Sequence, residues 1–284
     1  ENGYLHHSKQ PAKLGKGGIN ERKILPEAQE RGITALENHF KTIRKYEAEK
    51  VYAFATSAIR DASNGKEFLR KISEKFRLYV NIIPGEREAE LIYKGVRQSF
   101  DIGSQKALIV DIGGGSNECI IADSREIFWK ASYNLGIARL LEKFSPSDPI
   151  KPEETAEVND YLEEELSTLF EAAEKFRPSM LIGASGTFET FASLLRHRLP
   201  SRYGKNGKPS LEIGMEDYRG LHSILLGSTL EERMSMPGME PVRVEMIVLA
   251  SVFVNFVMKK LDIQQLIQSD YALKEGVIAE ILNI

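Results

Sequence analysis

Residues 107–122, ALIVDIGGGSNECIIA, restrict the fold of this chain more than any other stretch. Ala107 to Val110 is a short apolar run that meets glycines before a helix could complete, so it reads as a buried strand. Gly113, Gly114 and Gly115 make a turn without side chains, and its backbone N–H groups can face an anion. The run after the turn reads as a strand coming back. Asp111 enters the turn and Glu118 leaves it, so pairing of the two strands sets both carboxylates at one end of a hairpin. Oxygen ligands beside a phosphate-sized hollow suit Mg²⁺ with a phosphorylated substrate. The competing reading is a structural hairpin with solvated acids. Three successive glycines bracketed by two acids weigh against it.

With 284 residues the chain exceeds one ordinary core, and two domains are the default. A net charge of −3 implies no strong overall pull toward nucleic acid or anionic membrane, so a polyanionic substrate needs a local patch. The single cysteine, Cys119, rules out an internal disulfide and fits a reducing cytoplasm; on the return strand it reads as a small core residue. The five histidines show no metal-ligand spacing. The longest apolar stretch, 242–258, contains Arg243, Glu245 and Asn255 and reads as a core helix, not a membrane span.

Strands and helices alternate along the chain, which argues for the α/β class. Asn2-Gly3 is a hairpin turn signal with Tyr4 to Lys9 as the strand after it, and the strand before it is not in the sequence. Helices are expected over 26–46 and 67–76, with strands at 51–56 and 79–83. Arg60 falls just past the C-terminal end of the 51–56 strand, where open α/β sheets bind ligands. Pro84-Gly85 opens a helix whose Ala89, Ile92, Tyr93 and Val96 form a packed face. Glu86 and Glu88 lie in its first turn, where the helix dipole keeps a carboxylate ionised, as a general base requires. A long acidic helix is expected over 153–176. A strand at 180–182 then leads into Gly183-Ala184-Ser185-Gly186-Thr187 and a helix, an arrangement that offers N–H groups to phosphate. Further helices are expected at 217–226, 242–261 and 272–282, with a strand at 266–269. The basic stretch 199–209 reads as a solvated loop.

These motifs, in this order, resemble the Ppx/GppA phosphatases, the exopolyphosphatases and guanosine pentaphosphate phosphohydrolases of the actin/sugar-kinase/Hsp70 (ribonuclease H-like) fold. ATSAIRDASN (55–64), PGEREAELIYKGV (84–96), DIGGGSNE (111–118), LGIARL (135–140), GASGTFET (183–190), RVEMIVLA (243–250) and YALKEGVIAE (271–280) carry the likeness, which covers nearly the whole chain. The resemblance implies two domains with a site in the cleft between them: 1–100, to which 270–284 returns, and 101–269. It implies Glu88 as the group that orients and deprotonates water, and Arg60 as a stabiliser of transition-state charge. Asp111 and Glu118 would position Mg²⁺. Gly113, Gly114, Gly115 and Ser116, with Gly183, Ser185, Gly186 and Thr187, would cradle phosphate. The implied reaction is hydrolysis of the terminal phosphoanhydride of polyphosphate or pppGpp in the cytoplasm, with no nucleic-acid or membrane partner; a homodimer is an open alternative to a monomer. Two other readings stand beside it: a kinase or ATPase of the same superfamily, and a non-catalytic polyphosphate or (p)ppGpp sensor. Three departures from the family pattern are visible. Arg87 stands where a first glutamate is usual, and Asn117 replaces a threonine, a change expected to matter little. The family's opening strand and its D-x-G-S-N-S loop have no counterpart here, and the chain resembles the short two-domain form.

Overall fold

A computed structural model describes residues 5–204 and 207–283, and the turn expected at Asn2-Gly3 lies outside them. The chain divides after Pro84 into two units, Glu1–Pro84 and Gly85–Ile284. The sequence reading set this division near position 100.

In the first unit, helix α1 (Pro26–Lys45) starts on a proline already fixed in helical φ and carries Glu27 in its first turn and Arg44 and Lys45 in its last, matching its dipole. Strand β1 (Ala53–Ala55), the single turn α2 (Ser57–Arg60), α3 (Gly65–Phe76) and β2 (Val80–Ile82) follow. β1 and β2 pair in parallel, Phe54 opposite Asn81. Ile24, Ala28, Phe68, Ile72 and Leu78 make a small core under α1 and α3. No strand forms over residues 5–9, where the sequence suggested one; that stretch is exposed and has no sheet partner.

The second unit is built on a six-stranded mixed sheet. In chain order its elements are α4 (Gly85–Ser99), β3 (Ala107–Ile112), β4 (Asn117–Ala122), β5 (Ile127–Tyr133), α5 (Ile137–Phe144), α6 (Pro152–Glu165), α7 (Ser167–Phe176), β6 (Met180–Ala184), α8 (Gly186–Arg198), α9 (Pro200–Tyr203), β7 (Ser210–Ile213), α10 (Met215–Gly227), α11 (Leu230–Ser235), α12 (Ile247–Lys260), β8 (Leu266–Ser269) and α13 (Leu273–Leu282). The strand order is β5-β4-β3-β6-β8-β7, with β3, β6 and β8 parallel.

Every residue of β3 and β4 is buried, because helices cover both faces of the sheet. Strand alternation sends Leu108, Val110, Ile112, Cys119 and Ile121 into the larger core with α5, α6, α7, α8 and α12. It sends Ala107, Ile109, Ile120 and Ala122 to the opposite face, where Ala89, Ile92, Tyr93 and Val96 of α4 cover them. α13 lies along α4, and the contact is backbone to backbone. A Cβ on Gly276 would fall far inside the van der Waals radius of the Leu91 carbonyl, and one on Gly95 would strike the carbonyl of Ala272. Arg87 ties the same two helices by pairing with Glu280, which Lys94 also holds.

Candidate active site

The glycine turn sits where β3 hands over to β4. Asp111 and Glu118 are direct cross-strand partners, so their side chains leave the same face of the sheet. That is the face of Ile109 and Ile120, covered by α4, and Glu88 stands in the first turn of α4. Glu88, Asp111 and Glu118 are 7%, 8% and 2% exposed, an unusual burial for three acids in one unit. The Glu118 carboxylate accepts from the Ser132 hydroxyl at 2.7 Å.

Helix α5 determines how the turn is presented. The Ile137 N–H donates to the Gly113 carbonyl, the Ala138 N–H to the Gly114 carbonyl, both at 3.0 Å, and Arg139 Nε to the Gly115 carbonyl at 2.7 Å. In a trans peptide the N–H of the next residue points opposite to the carbonyl. The N–H groups of Gly114, Gly115 and Ser116 are therefore all turned away from α5, a set of three donors on one side of the turn that suits an anion. Close approach makes this possible: a Cβ on Gly136 would lie 2.4 Å from backbone atoms of Gly114 and Gly115. Asn117, wholly buried, donates its side-chain N–H to the Leu135 carbonyl at 3.0 Å and pins the segment entering α5. This is a larger role than its sequence position suggested.

The second turn joins β6 to α8 on the neighbouring strand, with Asp111 opposite Ala184 in register. Gly183 has Phe188 packed where a Cβ would be, and Thr187 is 1% exposed. Ser185 adopts φ 71° and ψ −178°, a conformation that essentially only glycine enters without strain. Burial pushes the Asp111 carboxyl up to about 7; the Ser185 hydroxyl and Arg243 oppose this, and the charges of Glu88 and Glu189 add to it. Arg243 and Glu189 were not assigned to the site from sequence. Arg243 lies in the turn before α12, and a Cβ on Gly186 would collide with its guanidinium. Its Nε is buried without a partner. The segment 243–250 was among those that carried the family resemblance, and no role was drawn for its arginine.

Arg60 belongs to the first unit, at the C-terminal end of α2, where it donates to the Ile83 carbonyl at 3.1 Å and pairs with Asp61 at 3.3 Å. Among the described residues no group of three His, Cys, Asp or Glu side chains is preassembled around one point as a metal cage. The donor set nevertheless fits a hard divalent cation. Asp111 and Glu118 are oxygen donors held side by side, and burial, with a smaller contribution from the charge of Glu88, disfavours a bare carboxylate at Asp111, a cost that such a cation would relieve. Mg²⁺ commonly takes only one or two carboxylates and completes its shell with phosphate oxygens and water.

The sequence profile described as the Ppx/GppA phosphatase family matches residues 3–283. The chain belongs to that family. Among solved structures of Ppx/GppA proteins, an exopolyphosphatase from Cytophaga hutchinsonii superposes with a TM-score of 0.92 and 34% identity, over 95% of this chain and 86% of that one. The phosphatase-bearing relative from Fusobacterium nucleatum, a bifunctional 3-dehydroquinate synthase/phosphatase, is 36% identical over 64% of this chain. A guanosine-5′-triphosphate,3′-diphosphate pyrophosphatase from Photobacterium profundum is 26% identical over 97% of it. The chain spans 28% and 53% of the lengths of these last two Ppx/GppA relatives.

Proposed function

We propose that this protein removes the terminal phosphoryl group of inorganic polyphosphate or of pppGpp by attack of water. The observation that carries the reading is the burial of Glu88, at a helix N-terminus, on the sheet face of Asp111 and Glu118, in the unit that also holds the turned-out N–H groups of Gly114, Gly115 and Ser116. Glu88 takes the proton of the attacking water. The N–H groups of Gly114, Gly115 and Ser116, with those of the second turn at Gly183, Ser185, Gly186 and Thr187, hold the phosphoryl oxygens; Gly113, expected to join them, instead donates its N–H to the Ser116 carbonyl at 3.0 Å and closes the turn. Arg60 adds positive charge as the bond to the leaving group breaks. Mg²⁺ held by Asp111 and Glu118 would supply charge neutralisation on the phosphoanhydride. The leaving group is a polyphosphate one unit shorter or a nucleotide 5′-diphosphate. Such a reaction needs positioning and electrostatics rather than covalent chemistry. The names of the C. hutchinsonii and P. profundum relatives support both substrates.

No helix among the described residues is long and apolar enough to cross a membrane, and we place the activity in the cytoplasm. Phosphate release from long-chain polyphosphate and from pppGpp, measured in parallel with Mg²⁺ and no acceptor, tests the reading. Release without an acceptor separates it from a kinase, and saturable binding without release would favour a sensor. Glu88→Gln is expected to lower kcat by about 10²–10⁴-fold with folding intact, the usual contribution of a positioned general base. A near wild-type rate in that variant sinks the assignment.

A further inference from the structure

We propose that Arg139 is a positioning residue whose Nε–H sets the orientation of the Gly115–Ser116 peptide. The inference rests on the catalytic reading above and extends it to a side chain bonded to the backbone of the glycine turn.

Three consecutive carbonyls of the glycine turn are taken by three consecutive residues of α5, in the same order. Two of the donors are backbone N–H groups at the start of a helix, which cannot be removed without unwinding it. The third is a side chain. The helix supplies no backbone N–H for the Gly115 carbonyl because the Arg139 N–H turns back to the Gly136 carbonyl at 2.9 Å. The Arg139 side chain therefore completes the row that the backbone begins. Glycine peptides flip readily, since both senses of φ are open to them. With its carbonyl released, the Gly115–Ser116 peptide could rotate, and the Ser116 N–H would leave the surface shared with the N–H groups of Gly114 and Gly115. Ser116 itself is 3% exposed, so its amide has no bulk water to turn to in compensation.

The part of the side chain that matters is specified by its length. Glutamine carries an N–H donor the same number of bonds from Cα as arginine Nε, without the positive charge. Methionine matches the length with neither donor nor charge. If Arg139 acts by holding the carbonyl, Arg139→Gln should behave like wild type and Arg139→Met should not. If it acts by its charge, on substrate or on the acids nearby, both variants should fail together.

The test uses the full chain and tripolyphosphate as probe. For Arg139→Met, calorimetric affinity for tripolyphosphate should fall about ten-fold or more. Its kcat/KM should fall about 10²-fold, the scale for one lost transition-state donor. Arg139→Gln should stay within about three-fold of wild type in both. Equal losses in the two variants, or an unchanged affinity in Arg139→Met, would overturn the proposal. A Met variant that melts early is compared through the Gln variant, which keeps the hydrogen bond. One readout is independent of catalysis: the Arg139 Nε–H resonance of the wild type should be protected from solvent exchange without ligand. Exchange as fast as that of an exposed arginine would overturn the clamp. Failure of the wild type to release phosphate strikes the catalytic reading alone.

Discussion

Replacing Gly136 by alanine should disable the protein while destabilising it without unfolding it at room temperature. Gly136 has φ −56° and ψ 148°, a conformation alanine adopts freely, so no backbone strain enters. The new Cβ would lie 2.4 Å from the carbonyl carbon and oxygen of Gly114 and from the carbonyl carbon of Gly115, all main-chain atoms. Ordinary contact needs about 1 Å more, so the glycine turn and the start of α5 must separate by roughly that distance. The bonds from Ile137 and Ala138, now 3.0 Å, then stretch beyond useful length, each costing about 1 kcal/mol. Overpacking adds about 1–3 kcal/mol, and alanine returns about 0.4–1 kcal/mol through the unfolded chain. The net destabilisation, about 2–5 kcal/mol, corresponds to a melting shift of order 10 °C. A shift of about 1 Å in groups that position a reacting phosphoryl lowers the rate by about 10²-fold. Gly220→Ala is the control, since α10 carries none of the site residues and a Cβ there would meet nothing within 4 Å. Calorimetry gives the melting shift, and phosphate release from polyphosphate gives kcat/KM. Gly136→Ala retaining more than about a third of wild-type kcat/KM, or Gly220→Ala failing equally, would refute the reasoning.

Ser185→Gly should raise the melting temperature by a few degrees, because it relieves a backbone strain of about 1–3 kcal/mol at a smaller entropic cost. It should also lower activity, because Asp111 loses a hydroxyl donor; a variant that is both more stable and fully active would contradict the role of that hydroxyl. His222, bonded through Nδ1 to the Ser251 hydroxyl at 2.7 Å, is pushed down to about 4, first by burial and then by Lys259. The unfolded chain therefore binds more protons than the folded one between the ordinary histidine value of about 6.5 and pH 4. Stability is whole above that window and falls as pH drops through it, by about 1–2 kcal/mol once solvent screening of the partly exposed ring is discounted. Urea melts at pH 7 and 4.5 should show this loss for wild type, and His222→Leu should show much less of it.

The central hairpin was legible because two short apolar runs and a four-residue glycine–serine turn leave one antiparallel register, the one that sets Asp111 against Glu118. The pattern of the amphipathic helix placed Glu86 and Glu88 together in its first turn, and only the family resemblance singled out Glu88, the one that the fold buries while Glu86 stays exposed. Boundaries that depend on packing were less so. The helix expected over 153–176 breaks at Leu166, which is wholly buried where α6 gives way to α7. The helix expected from 242 begins at Ile247, since the residues before it form turns. Strand β7 and helix α11 are too short to show a period. Arg139 and Arg243 escaped because their roles come from carbonyls and glycines distant in sequence, which spacing along the chain does not reveal.

The crossing of α13 over α4 also governs the order in which the second unit can be completed during synthesis. Glu280 lies 193 residues downstream of Arg87, its partner on α4. A nascent chain that has emerged through β8 already possesses every strand of the sheet, yet Gly95 and Leu91 still await the helix that packs on them. The helix bearing Glu88 is made early and braced late. Stalling translation between β8 and α13 should therefore yield a chain with its sheet formed and Glu88 still on a loosely held helix.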